Sequence, residues 1–240
     1  MPTSYTSRVL YHLVGSKTPD CDKQNFETLR AILKSMELRT NTVAGQSGGI
    51  TLLIDPDRGC VDGEPISQTI VCFCDIPFEC LGLHTSKYGR FGVGVDRNQV
   101  AKWGGRPVIY IPTTTDVGAG VNNYFSRDIM NAWRGLDDHF PEPPANRSRI
   151  VGARPDNAEQ ALDLAITVLS QLLAFVKTFD VDLPDDDPLN FYMEREWRKP
   201  AKLALELPLR EIIAPEEYHE QLRAEFPRLA HLQHRAAPAK

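Results

Sequence analysis

Phe191-Tyr-Met-Glu-Arg-Glu-Trp-Arg198 sets two acidic, two basic and three aromatic residues beside one methionine, and Pro200 follows shortly after. Side chains on a strand alternate between faces. A strand here therefore predicts Glu194, Glu196 and Arg198 on one face, with Met193, Arg195 and Trp197 on the other. Carboxylates side by side repel unless they are solvated, paired or used in chemistry. The stretch therefore reads as a working site, the alternative being an edge strand whose charges block aggregation. Trp197 is expected to pack behind the site, and Arg195 to find a partner in Asp75 or Asp96.

The rest of the chain sets the frame. Its 240 residues allow one large domain with a sizeable core. Net charge is −5, so no global positive field draws in nucleic acid, although local arginine clusters such as Arg127, Arg134, Arg147 and Arg154 leave a basic groove open. The longest apolar stretch, 158–179, is interrupted by Glu159, Asp163 and Lys177 and does not read as a membrane span. The N-terminus lacks a secretory plan, and the protein is expected in the cytoplasm. Five cysteines, an odd number, argue against a disulfide framework. Cys72, Cys74 and Cys80 do not have zinc-knuckle spacing, and no metal is expected.

Along the chain, residues 8–14 read as an opening strand. Phe26, Leu29, Leu33 and Met36 recur at helical spacing. Residues 42–49 are irregular, 50–54 read as a strand, and the almost wholly apolar 70–74 as a central strand covered on both faces. A helical turn follows over 75–83, and 88–95 reads as a strand. Asp96 caps a short helix ending near Trp103, and 107–111 is another strand. Residues 118–136 hold a loop and a helix, and 137–157 a linker. Asp156 with Glu159 opens a long helix up to Phe179. Residues 201–207 alternate like a hairpin partner of the charged strand. A last helix spans about 215–226, and 236–240 fray. Strands and helices mix without a βαβ rhythm. The prediction is a single α+β domain over 1–240, with a core at about 8–207, a helical tail at 208–240 and a mostly antiparallel sheet.

Three features carry a resemblance. Tyr11-His12 opens the chain ahead of the helix with Phe26-Glu-Thr-Leu-Arg-Ala-Ile-Leu33. Val71-Cys-Phe-Cys-Asp-Ile-Pro77 leads to His84 and Tyr88-Gly-Arg-Phe-Gly-Val-Gly94, and Glu194-Arg-Glu-Trp-Arg198 closes the order. Over roughly residues 9–207 this resembles the abortive-infection phage-resistance proteins of the AbiGi type, a family of bacterial antiviral defence and toxin–antitoxin loci. The order also looks like that of ADP-ribosyltransferase folds, with a His or Arg on an early strand, an aromatic or Ser/Thr position in the middle and a Glu on a late strand. That likeness implies a split sheet flanked by helices, with NAD as co-substrate. Thr85-Ser86 only approximates the Ser-Thr-Ser triplet of such enzymes.

Carried over, the resemblance places His12, Glu194 and Glu196 in catalysis, and His12, Tyr11, Tyr88, Arg90, Phe91 and Arg198 around NAD. Cleaving the nicotinamide–ribose bond develops oxocarbenium charge that a carboxylate stabilises, while a second carboxylate can take the acceptor's proton. Tyr11, Tyr88 or Phe91 can stack on a flat ring, and Arg90, Arg195 and Arg198 can clamp a diphosphate. Each residue has a structural alternative. His12 can be a partly buried strand histidine, and His84 a charge at a helix C-terminus. Gly89, Gly92 and Gly94 more simply allow close backbone approach than bind a nucleotide. The leading expectation is transfer of ADP-ribose to a macromolecular acceptor, with residues 113–154 shaping the partner surface. The rivals are a non-catalytic antitoxin or sensor that binds a cognate toxin, and a toxin nuclease using Glu194, Glu196 and His84.

Overall fold

The computed structural model describes residues 7–39, 51–52, 54–55, 59–60, 65–67, 70–113, 172–184, 187 and 189–238. In chain order its strands begin with β1 (Val9–Leu13), β2 (Glu37–Leu38), β3 (Thr51–Leu52), β4 (Ile54–Asp55), β5 (Gly59–Cys60) and β6 (Ile66–Ser67). Next come β7 (Ile70–Cys74), β8 (Gly92–Asp96), β9 (Arg106–Pro107), β10 (Ile109–Thr113) and β11 (Val176–Asp180). The last are β12 (Glu196–Pro200), β13 (Leu203–Ala204), β14 (Leu209–Ile213) and β15 (Gln233–Arg235). Among the described residues the helices are α1 (Asp22–Ser35), α2 (Gly82–Tyr88), α3 (Arg97–Lys102) and α4 (His219–Glu225). The chain divides into two compact units, one of Met1–Gln46, Thr69–Val108 and Tyr192–Lys240, the other of Ser47–Gln68 and Ile109–Phe191. The sequence reading treats 1–240 as one domain.

The first unit is built on a seven-stranded sheet, ordered β15-β14-β8-β1-β7-β12-β9. Its pairs are antiparallel except β14 with β15, which α4 and its flanking turns connect. The α+β class and the mostly antiparallel sheet follow the sequence expectation. β1 pairs with β8 from Val9 to Leu13, whereas its register with β7 is Tyr11↔Cys74. Beside that bridge the His12 Nδ1–H donates to the Cys72 carbonyl at 2.7 Å, a side chain taking a carbonyl where the strands part.

Alternation divides the sheet into two chemically distinct faces. On one, Leu10, Val71, Phe73, Val93, Val95 and Ile212 pack with Phe26, Leu29 and Leu33 of α1 in the main core. The helical period of the sequence lays those three α1 residues on one stripe. On the other face Tyr11, Cys74 and Ile213 pack with Ile76 and Leu81 from the segment after β7. Gly94 makes room there, because a Cβ would come within 3.1 Å of the Tyr11 ring and 2.8 Å of Val9.

Several expected elements are corrected. Residues 88–95 are not one strand: Tyr88 ends α2, Gly89 turns at φ +81°, and β8 begins at Gly92. Residues 107–111 divide between β9 and β10. The partner of β13 is β2, through Leu203↔Leu38, and not the charged strand. Ala201, at φ +57°, turns the chain away from β12. The tail at 208–240 is not simply helical, since it supplies β14 and β15 to the sheet. The Asp96 cap stands, its side chain accepting from the Gln99 N–H at 3.0 Å.

The second unit holds a parallel pair, β10 with β11, in register from Ile109↔Val176 to Thr113↔Asp180. The helix expected to run up to Phe179 therefore gives way to strand, where Val176, Thr178 and Phe179 favour an extended chain. Two short antiparallel pairs, β3 with β6 and β4 with β5, complete its described strands. The irregular stretch 42–49, the loop and helix at 118–136, the linker at 137–157 and the Asp156–Glu159 capping box lie outside the described residues, as do Arg127, Arg134, Arg147 and Arg154.

Candidate functional site: a buried polar layer on one face of the sheet

Strand pairing gathers the site. Glu196 lies opposite Cys74, which lies opposite Tyr11, while Arg198 lies opposite Cys72. Opposed residues share a face, so Tyr11, Cys72, Cys74, Glu196 and Arg198 form one polar band across three strands. Glu196 and Arg198, two apart on β12, point the same way as the sequence predicts. The Arg198 Nε donates to Glu196 Oε1 at 2.9 Å and its Nη2 to Oε2 at 3.1 Å. Exposures of 1% for Arg198 and 5% for Glu196 make this a dry, two-point ion pair.

Glu194 does not lie on the strand. It ends a 3-10 turn, Phe191–Glu194, and Arg195 follows at φ +43°, so β12 starts only at Glu196. A left-handed residue cannot continue the strand pleat, which explains the missed boundary. The Glu194 carboxylate still reaches the layer. Its Oε1 accepts from Lys87 Nζ at 2.6 Å and from the Tyr88 hydroxyl. Lys87 and Tyr88 end α2, so this contact ties the turn before β12 to the helix after β7. His84, one turn earlier on α2, is buried beside them, its ring centroid 6.2 Å from that of Tyr88. Neither ring nitrogen of His84 has a hydrogen-bond partner among the described residues.

Burial dominates the electrostatics. It pushes the Tyr88 hydroxyl well above its ordinary range, and the charge and hydrogen bond of Glu194 push the same way. Burial likewise raises the Cys74 thiol to about 12, leaving it inert as a nucleophile. His84 is held below the usual imidazole range by burial, against an upward pull from Glu194, with Lys87 adding to the depression. His84 thus lies within α2 and not at its C-terminal end, and burial there disfavours its charged form.

The other candidates fall elsewhere. His12 alternates with Tyr11 and faces the main core, its ring 5.9 Å from that of Phe73. Burial lowers its basicity against the pull of the Cys72 carbonyl. His12 and Glu196 therefore sit on opposite faces of the sheet. Phe91 is fully buried in the core, 5.1 Å ring to ring from Tyr218. Arg90 is exposed and ion-paired with Asp22. Tyr11 is on the polar face, where burial and Glu211 raise its hydroxyl. The expected partners of Arg195 are taken differently, Asp75 lying 3.7 Å from Arg97 and Asp96 3.3 Å from Arg210. Trp197 packs against the main core as expected.

Sequence reasoning missed Lys87, and missed a second charged group on the same face, where Arg235 pairs with Glu211 and Glu79 at 3.4 Å and stacks over Phe78. Among the described residues no cluster of three His, Cys, Asp or Glu side chains is arranged to hold a metal ion. No described helix is long and apolar enough to cross a membrane.

No curated protein and no solved structure matches the chain. Residues 63–223, more than half of the 240, match the sequence model of AbiGi, the abortive phage resistance protein described as an antitoxin. That span runs from before β7 to beyond the start of α4 and includes Lys87, Tyr88, Glu194, Glu196 and Arg198. The chain belongs to the AbiGi family of abortive phage resistance proteins.

Proposed function

We propose that this chain is the antitoxin of an abortive-infection pair and acts by binding a cognate toxin protein rather than by catalysis. The observation that carries the reading is the Glu196–Arg198 pair. Both carboxylate oxygens accept from one guanidinium in a dry setting. A carboxylate so engaged is poorly placed to stabilise an oxocarbenium or accept a proton, because either role would first break a buried ion pair. Glu194 is also tied into structure, by Lys87 and Tyr88. Membership in a family described as antitoxin points the same way.

An antitoxin needs surface for a protein partner. The second unit leaves Ile109 59%, Leu172 54%, Val181 50% and Leu189 63% exposed, apolar side chains of the kind that gain by being covered. The rival reading, ADP-ribosyl transfer from NAD, draws support from the parting of β1 and β7 beside His12. It requires His12, Tyr88 and Glu196 to converge on one ligand, and alternation turns His12 away from Glu196.

The test is co-expression with the toxin of the pair. The double variant Glu196→Met/Arg198→Met removes both charges at similar volume, a change that buried pairs often tolerate. If the variant melts like the wild type, growth rescue is expected to persist. A folded variant without rescue would place the pair in the function and overturn the non-catalytic reading.

A further inference from the structure

β15 closes one edge of the seven-stranded sheet, paired in parallel through Ile212↔His234 and Ile213↔Arg235. Its two faces are fastened differently. Arg235 turns toward Glu211, Glu79 and the Phe78 ring in a charged clasp. His234 turns to the opposite face and meets His219 of α4 edge to face, with ring centroids 5.7 Å apart. His219 Nε2–H donates to the Ala214 carbonyl at 2.8 Å, at the end of β14. Both ring nitrogens of His234 are buried and no side chain among the described residues hydrogen-bonds them, while the Leu229 backbone draws weakly on the ring.

The charged groups that bear on this contact are few. On α4 the groups bearing on His234 are Arg223 and His219. Glu220 on α4, and Glu216 and Glu217 before it, are exposed, and none forms an ion pair with either imidazole among the described residues. On β14, Glu211 is directed to the other face with Arg235. Arg228 donates to the Leu33 carbonyl, and His231 in the turn before β15 is exposed. A proton arriving on His234 therefore meets the Arg223 cation and no ion-paired carboxylate among the described residues, with the Leu229 backbone as a weaker opposing pull.

We propose that the His219–His234 contact is a proton-operated latch on the C-terminal strand. With His234 neutral, β15 stays seated; with it protonated, β15 lifts and uncovers the backbone edge of β14. Burial, Arg223 and His219 hold the His234 imidazole below its usual range, against a weaker pull from the Leu229 backbone, so the seated state is the neutral one. Because β14 is a buried strand, its uncovered ladder would be a template for a strand from another chain. The latch is independent of the antitoxin reading.

Hydrogen exchange of the full chain, followed by mass spectrometry at about pH 7.5 and about pH 5.5, tests it. After correction for intrinsic chemistry, the 233–235 amides should lose protection in acid by a factor of up to about ten, the most that one imidazole can supply between these two pH values, while α1 keeps its own. His234→Phe keeps an aromatic ring that cannot take a proton and should hold β15 seated at both pH values. Should that variant lose α1 protection, Arg223→Gln on the exposed face serves instead. Removing that cation lets His234 titrate closer to its released value, so the acid effect should shrink. Equal protection of the wild-type strand at both pH values overturns the latch. So does acid release undiminished in the folded variant.

Discussion

Burying a guanidinium and a carboxylate two positions apart on one strand strips water from both, and only a near-ideal fork returns that cost. Arg198 and Glu196 have that geometry. Replacing Arg198 alone with Met removes the two-point fork from a buried carboxylate and should cost about 3–5 kcal/mol in urea denaturation. The double variant Glu196→Met/Arg198→Met should recover most of that loss, and a double variant as unstable as the single would show that the pair is not the unit. Tyr88→Phe removes one donor to Glu194 and should cost about 1–3 kcal/mol, read as a lower melting temperature with an unchanged circular dichroism spectrum. The shared face of Glu196 and Arg198 was legible because it follows from strand alternation. The Lys87–Tyr88–Glu194 contact was not, because its members are more than a hundred residues apart and nothing local announces it.

Elements were legible where their signals are local. α1 followed from Phe26, Leu29 and Leu33, and α3 from the Asp96 cap. Asp96→Ala should therefore cost about 1 kcal/mol, and an unchanged melt would remove the cap from the account of α3. Gly89 adopts φ +81°, and a methyl group there would meet Asn25 Nδ2 at 2.9 Å and the Gly15 Cα and Pro19 carbonyl at 3.2 Å. Gly89→Ala should destabilise the protein by more than the Asp96 variant. Where elements were misread, long-range pairing decided. Residues 201–207 alternate well enough for a hairpin, yet β13 joins β2 far away in sequence. The run ending at Phe179 is apolar enough for helix or strand, and its pairing with β10 settled the matter.

For the whole molecule three histidines contribute to the response to acid. His12, His84 and His234 are each held below the usual imidazole range, with burial the largest cause. Below about pH 6.5 the unfolded chain binds protons at these positions that the folded chain refuses, so stability rises with pH there. Their contribution is complete above that value and is lost as pH falls toward the folded values. Thermal melts should be flat near neutrality and decline below about pH 6.5, with His84→Gln flattening part of the decline. The larger claim, that the protein neutralises a partner by binding it, separates from catalysis by stoichiometry. Titrating the purified chain into the toxin of its pair, and reading residual toxin activity, makes that distinction directly. Binding predicts inhibition that grows in proportion to added protein, saturates at a fixed ratio and ignores NAD. Complete inhibition by a small fraction of an equivalent, growing with time and requiring NAD, would contradict the account.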